Sequence, residues 1–369
     1  MGKYYPPHMG GMETHLQNIV SGLSRSRDVR VIVAGDSIRG SVEQMDGAVI
    51  TRVPTLGVVA SMPVTPTLPW ELIKIKPDLV HVHVPNPGAA FAIATARYHG
   101  PLVIMHQSDT LGRKQLKRIS DPFVNAMMRA ADRIIVASQR YLDSSEELAP
   151  FRAKCAVIPM GINLEKEREE VQAESAKVIH KYGPQLVLAV GRLVGYKGFI
   201  YLLEAMRNVD ATLLLVGSGP LDAFLKQAAR DFEVSHKVKF LGRVEDLQTY
   251  YRASSVFVLP SISRAEAFGL VQLEAMAAGI PVINTDLNSG VPEVSLDGIT
   301  GITVPPEDAS SLARAINSLL GDAPLRQRMG EAGRVRARRE FAPGLMIERT
   351  IQLYEEVLLE RRNRRSSRS

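Results

Sequence analysis

Cysteine is almost missing from this chain: Cys155 is the only one among 369 residues. A single thiol cannot close an intrachain disulfide, which suits a reducing compartment. It also excludes a cysteine cage for zinc. No His-Glu-x-x-His pair, no Asp-x-Asp pair for a metal diphosphate, no Walker loop and no Gly-x-Ser-x-Gly elbow occurs. These absences remove the usual signatures of zinc hydrolases, P-loop enzymes and α/β-hydrolases. Apolar runs are short; the longest, residues 87–96, falls far below the roughly 20 residues that span a bilayer. The N-terminus has no signal-peptide pattern, so a cytoplasmic location is expected. The basic residues lack an interleaved aromatic platform, which argues against nucleic acid as a partner.

What is present is a soluble, globular composition with a net charge of +6. The length is too great for one ordinary core, so two domains are expected. Residues 1–164 carry 18 basic and 13 acidic side chains, and residues 165–360 carry 22 and 26. The tail "RRNRRSSRS" adds five arginines. A basic N-terminal half and tail suit an anionic partner, such as a phosphorylated substrate or acidic lipid headgroups. The plainer reading of the tail is a solvated, disordered end.

Short β-branched runs alternate with amphipathic stretches along the chain. Residues 29–34, 79–84, 102–105 and 133–137 read as buried strands, with helical patterns between them. The charged stretch 166–183 lacks strand character and reads as a linker or a surface helix between domains. Strands then resume at 186–190, 212–216, 238–241, 256–259, 281–284 and 302–304. A last helix spans about 345–360. The division expected is an N-terminal domain 1–165, a linker 166–183, a C-terminal domain 184–342, and a terminal helix and tail 343–369 that packs back on the first domain. This alternation is an α/β fold with two doubly wound, Rossmann-like domains. Facing each other, they would place a ligand cleft at the carboxyl ends of their strands.

Candidate chemistry sits at those strand ends. In "SRAEAFGLVQLEAMAAGIPV", Glu266 falls in the loop after the strand 256–259, and Glu274 falls in the first turns of the next helix. Backbone N–H groups at Phe268, Gly269 and Leu270 would point out of that helix and form an anion site. Alone, Glu266 is an acid favoured by a helix dipole and Glu274 a solvated face residue. Together, with glycine between them and apolar surroundings, they suit gripping the hydroxyl-rich parts of a phosphorylated ligand. "GRLVGYKG" puts Arg192 and Lys197 in a glycine-bearing loop after the strand 186–190, where two cations suit a diphosphate. Gly10 and Gly11 precede a helical pattern and allow close approach to a ligand. His106 ends the strand 102–105, with Asp109 close behind, and could contact sugar hydroxyls or shuttle protons. His81 and His83 alternate on a strand and read as structural. "VGSGP" lacks the third glycine of a dinucleotide fingerprint.

These motifs together resemble the retaining glycosyltransferases of family 4, which have the GT-B fold, and the resemblance covers nearly the whole chain. Its most specific part is "EAFGLVQLE", the family's E-x7-E motif. "PPHMGGMETH", "GRLVGYKG" and "EAMAAGIPVI" follow in the family's order. "RAEAFGLVQLEAMAAGIPV" and "HQSDTLGRKQ" look most like the branch that builds cell-surface polysaccharides, often with mannose from GDP-mannose. The resemblance implies that Glu266 contacts the donor sugar and Glu274 the ribose hydroxyls. Arg192, Lys197 and the Phe268–Leu270 amides would hold the diphosphate. The Gly10–Gly11 loop would lie against the donor phosphates, and His106 would line the sugar and acceptor side. It further implies no cofactor and no metal, a lipid-linked saccharide acceptor, and a peripheral position at the inner face of the cell membrane, in contact with anionic lipid. The chain departs from the pattern twice. Only "MGKYY" precedes the glycine loop, so a central first strand is expected to be truncated. And "NSG" (288–290) stands where the family often has Gly-Gly.

Two other classes fit parts of this sequence. A nucleotide-sugar epimerase of related fold would interconvert sugars without an acceptor. A non-catalytic subunit would bind the nucleotide sugar without turnover.

Overall fold

The computed structural model describes residues 1–8, 10–59, 62–109, 114–162, 169–244 and 246–367. The chain divides into two compact units, Met1–Gly161 with Pro343–Ser369, and Ile162–Ala342.

The second unit is built on six parallel strands. Their spatial order is Val238–Gly242, Thr212–Val216, Leu186–Val190, Val256–Val258, Val282–Thr285 and Gly301–Val304. Numbered along the chain this is 3-2-1-4-5-6, the doubly wound order. Every side chain of the central strand Leu186–Val190 is buried. Such a continuous apolar run is what a strand covered on both faces requires. Leu202, Leu203, Leu213, Leu215, Ile316 and Leu319 complete its core.

The stretch expected as a linker begins in residues 163–168, which lie outside the described residues, and then forms the helix Glu169–Tyr182. This helix belongs to the second unit and packs on the helix Leu247–Ala253. Of the two readings, linker or surface helix, the helix is the one observed. Val171, Ser175 and Val178 recur at i, i+4 and i+7, and Ser175 is buried. That narrow stripe is enough to dock a helix whose other positions are charged.

In the first unit, four parallel strands run Val80–Val84, Leu102–His106, Arg133–Val136 and Cys155–Val157. A second group pairs Arg30–Ala34 with Ala48–Val53 in parallel, and the latter with Ser41–Met45 in antiparallel fashion. The central position expected of a first strand is taken by Met1–Lys3. Gly2 N–H donates to the Ile32 carbonyl at 3.2 Å, and Ala34 N–H donates to Lys3 at 3.1 Å. On the other edge, His83 N–H donates to Met1 at 3.0 Å, and the Met1 ammonium donates to the His81 carbonyl at 2.6 Å. The terminal helix is longer than its pattern suggests, running Pro343–Ser366 within this unit. Arg361 holds Asp132 through two nitrogens at 2.7 and 3.0 Å, so this tail arginine is engaged inside the fold. Among the described residues, no helix is long and apolar enough to cross a membrane.

Candidate active site

In the second unit the strand order reverses between Leu186–Val190 and Val256–Val258. Loops leaving neighbouring strands at such a point diverge and open a crevice. Those two loops carry Lys197 and Glu266. Lys197 Nζ lies 2.5 Å from Glu266 Oε2, with both side chains about nine-tenths buried. Ser261 donates to the same oxygen at 3.0 Å. Burial alone would lower the Lys197 pKa, but the Glu266 charge and hydrogen bond outweigh it and raise it. The cation is therefore fixed.

Glycine makes the pairing possible. Gly198 adopts φ +65°, and a Cβ there would sit 2.0 Å from the Pro260 carbonyl oxygen. The Lys197 turn thus presses directly onto the end of the neighbouring strand, and Ile262 N–H donates to Tyr196 at 2.8 Å across the gap. Gly269 adopts φ +73° and opens the helix Leu270–Ala278. Among the described residues, the backbone N–H groups of Phe268, Gly269 and Leu270 have no hydrogen-bond partner. A helix start of this kind attracts an anion. Buried Gln272 braces it by donating to the carbonyls of Phe268 at 2.8 Å and Val291 at 3.2 Å. The departure at 288–290 is tied in as well, since Gly290 N–H donates to Ala267 at 2.7 Å.

Glu274, the fifth residue of this helix, lies in different surroundings. It is half-buried, and Oε2 accepts from the hydroxyl of fully buried Tyr251 at 2.8 Å. Burial raises its pKa, and the Tyr251 hydrogen bond offsets part of that rise. Arg192 is exposed at the end of its strand. "VGSGP" serves as a buttress for this loop: Leu193 N–H donates to Ser218, and Leu221 N–H donates to Leu193, at 3.0 and 3.1 Å.

The remaining candidates belong to the first unit. Gly10 and Gly11 are exposed at the start of the helix Gly11–Leu23. His106 is buried at the end of its strand. The Tyr141 hydroxyl donates to Asp109 at 2.8 Å and lies 3.3 Å from His106 Nδ1, while Glu147 lies 3.6 Å from Nε2. Ser145 also donates to Asp109, at 2.7 Å. His106, Asp109 and Glu147 bring ligand atoms within 4.8 Å of one another, spacing that could hold a cation. Hydrogen bonding within the group already orients the imidazole. Residues 110–113 of its sequence motif lie outside the described residues.

The structure thus brings Lys197, Glu266 and the Phe268–Leu270 amides together in one unit, with Glu274 one helical turn further on. Sequence reasoning missed Tyr251, Ser261, Tyr141 and Glu147. A buried tyrosine hydroxyl needs a partner, but no spacing pattern reveals which one.

Comparison with known proteins agrees with this architecture. Residues 9–166 match the model described as Glycosyltransferase Family 4, and residues 170–336 match Glycosyl transferases group 1. The chain is 30% identical to O-antigen chain mannosyltransferase C of Escherichia coli over 96% of both chains. It is 31% identical to the D-rhamnosyltransferase WbpZ of Pseudomonas aeruginosa, over 72% of this chain and 70% of that one. Among solved structures, sucrose-phosphate synthase from Thermosynechococcus elongatus aligns with a TM-score of 0.79 at 23% identity, covering 95% of this chain and 94% of that one. HepE from Anabaena, solved with UDP-glucose, aligns with a TM-score of 0.79 at 20% identity, covering 96% and 98%. The chain belongs to the family 4 glycosyltransferases and has the GT-B fold.

Proposed function

We propose that this glycosyltransferase moves a hexose, mannose from GDP-mannose, to a lipid-linked saccharide or polysaccharide precursor with retention and without a metal. The observation that carries the reading is the buried Lys197–Glu266 contact at the switch point, beside the unpaired amides of Phe268–Leu270. A donor diphosphate fits those amides, with Lys197 and Arg192 supplying positive charge. As the sugar–phosphate bond breaks, charge grows on the leaving diphosphate, and fixed cations and amides favour that state over the ground state. This is the task a metal performs elsewhere. Glu266 would face the sugar as it becomes oxocarbenium-like, by analogy with glycoside cleavage. Held by Lys197 and Ser261, its carboxylate is a weak nucleophile. The departing phosphate then takes the acceptor's proton, and no glycosyl–enzyme bond forms. Glu274 would hold the ribose hydroxyls. Mannose is favoured by the name of the O-antigen relative, which matches nearly the whole chain. The basic first unit suits work at an anionic membrane surface, where each cation contributes roughly 1 kcal/mol.

The test is release of nucleoside diphosphate from GDP-, UDP- and ADP-sugars, with a membrane lipid extract as acceptor and chelator present throughout. Release from GDP-mannose that requires the extract, with label entering the lipid fraction and loss in Glu266→Ala, is expected. Activity abolished by the chelator would instead implicate a cation, with His106, Asp109 and Glu147 the first place to look. Binding without turnover would favour a non-catalytic subunit.

A further inference from the structure

Tyr251 lies on the helix Leu247–Ala253, outside both loops of the site and outside every sequence motif. Its side chain is fully buried, with its ring 5.7 Å from that of Phe257 on the strand Val256–Val258. Core packing therefore fixes the phenol relative to the sheet. Its hydroxyl has two acceptors, Glu274 Oε2 at 2.8 Å and the Val271 carbonyl at 3.1 Å. The Val271 carbonyl alone would satisfy the hydroxyl. Placing a carboxylate there as well is costly, because burial disfavours the charged form. The helix Ala323–Glu340 also packs on the Glu274 helix, but its nearby cations are engaged elsewhere. Arg334 pairs with Glu331, and Arg336 with Glu340 and the Glu293 and Val294 carbonyls. Among the described residues, Tyr251 is the titratable group whose hydrogen bond acts on Glu274. Glu274 has three side-chain torsions to freeze on binding a ligand, and a fixed hydrogen bond freezes them in advance.

We infer that Tyr251 is a positioning residue for the donor site: its hydroxyl holds one oxygen of Glu274 and so aims the other at the ribose hydroxyls of the nucleotide sugar. This rests on the reading of Glu274 given above. It explains why a buried tyrosine and a half-buried glutamate are kept together on two separate helices. It also predicts a signature that packing alone would not produce. Without the hydroxyl, Glu274 should take up its proton at higher pH, and the charged grip on ribose should fail sooner on acidification.

The experiment measures binding of GDP, UDP and ADP, and of their 2′-deoxy forms, by calorimetry from pH 5.5 to 8. It compares the parent, Tyr251→Phe and Glu274→Gln. The parent should prefer the ribonucleotide about tenfold and weaken on acidification. Tyr251→Phe should shrink that preference to about twofold and begin weakening at higher pH. Glu274→Gln should lose both the preference and the pH dependence. If Tyr251→Phe keeps the parent's preference and pH profile while Glu274→Gln loses them, the positioning role is overturned and the ribose reading stands. If Glu274→Gln keeps both, the ribose reading fails and the inference with it. Should Tyr251→Phe melt far below the parent, Glu274→Asp asks the same question. Its shortened carboxylate cannot span the hydroxyl and the ribose together, so a retained preference there would also overturn the proposal.

Discussion

Two clusters of polar groups, one in each unit, are buried in opposite ways. Around the site in the second unit, Lys197, Glu266, Glu274 and Tyr251 are all paired. In the first unit, His15, His81 and His83 lie close together, with ring centroids 4.8 and 5.5 Å apart. Five of their six ring nitrogens have no hydrogen-bond partner, and the sixth meets the Tyr354 hydroxyl at 2.5 Å. Paired charges hold a shape for binding something charged. Unpaired neutral rings pack as hydrophobes, provided they stay neutral. The comparison teaches that burial alone does not decide the state of a polar group here; a charged partner decides whether it stays charged or packs as a neutral ring.

The strongest way to break the contrast is to remove one partner from the charged pair. Lys197→Met should leave Glu266 buried without its cation and cost about 3–5 kcal/mol of stability. Combining it with Glu266→Gln should recover much of that loss while leaving activity abolished. Urea denaturation of the two single variants and the double variant forms the cycle. A loss below about 0.5 kcal/mol for Lys197→Met would mean that the pair is solvated and the site is less closed than its burial indicates.

For His15 taken singly, a somewhat smaller effect is expected in the first unit. Burial lowers the pKa of His15 to about 4, and lowers those of His81 and His83 well below the ordinary value. The unfolded chain then binds more protons than the folded one between about pH 6.5 and pH 4. Stability from these rings is full above about 6.5 and drains away as pH falls, by about 3 kcal/mol for His15 alone. Hydrogen exchange across this range should show the strands Val80–Val84 and Leu102–His106 loosening first. His15→Leu should flatten the trend, and an unchanged slope would show that the imidazoles are already hydrated.

How legible the molecule was in its sequence follows the same division. The second unit's strands were readable because buried parallel strands are continuous apolar runs, and their ends located Lys197 and Glu266. The E-x7-E spacing marked both glutamates, but nothing marked Tyr251, whose partner comes from a different helix. In the first unit, the antiparallel pair Ser41–Met45 and Ala48–Val53 was missed. Its signal was present: Asp46–Gly47 forms a two-residue turn with both φ values positive, the standard hairpin connection. Exposed, polar Ser41–Met45 lacks the apolar run that revealed the other strands. The 166–183 stretch leaves linker and surface helix both open in the sequence for a related reason, because three docking positions are too few to stand out among charges. The His106 network was half legible. Asp109 lies close in sequence, whereas Tyr141 and Glu147 arrive only through the fold.

The smallest effect sharpens the comparison most, because its sign is opposite to that of the histidines. Burial raises the Glu274 pKa, so here the folded state holds the proton more tightly than the unfolded chain does. Stability from this group is present below the ordinary glutamate range and is lost as pH rises through the folded value. At neutral pH the ionised carboxylate is therefore a liability to the fold. Glu274→Gln removes the liability and keeps an oxygen that can accept from Tyr251. It should melt slightly above the parent at pH 7.5, and the margin should narrow as pH falls towards 5. The same variant should bind nucleotide less well, so the gain in stability and the loss in binding come from one atom's charge. If Glu274→Gln is instead less stable than the parent at pH 7.5, the Tyr251 hydrogen bond outweighs desolvation. Glu274 would then stand as a structural residue, and the distinction between the two units would rest on Lys197 and Glu266 alone.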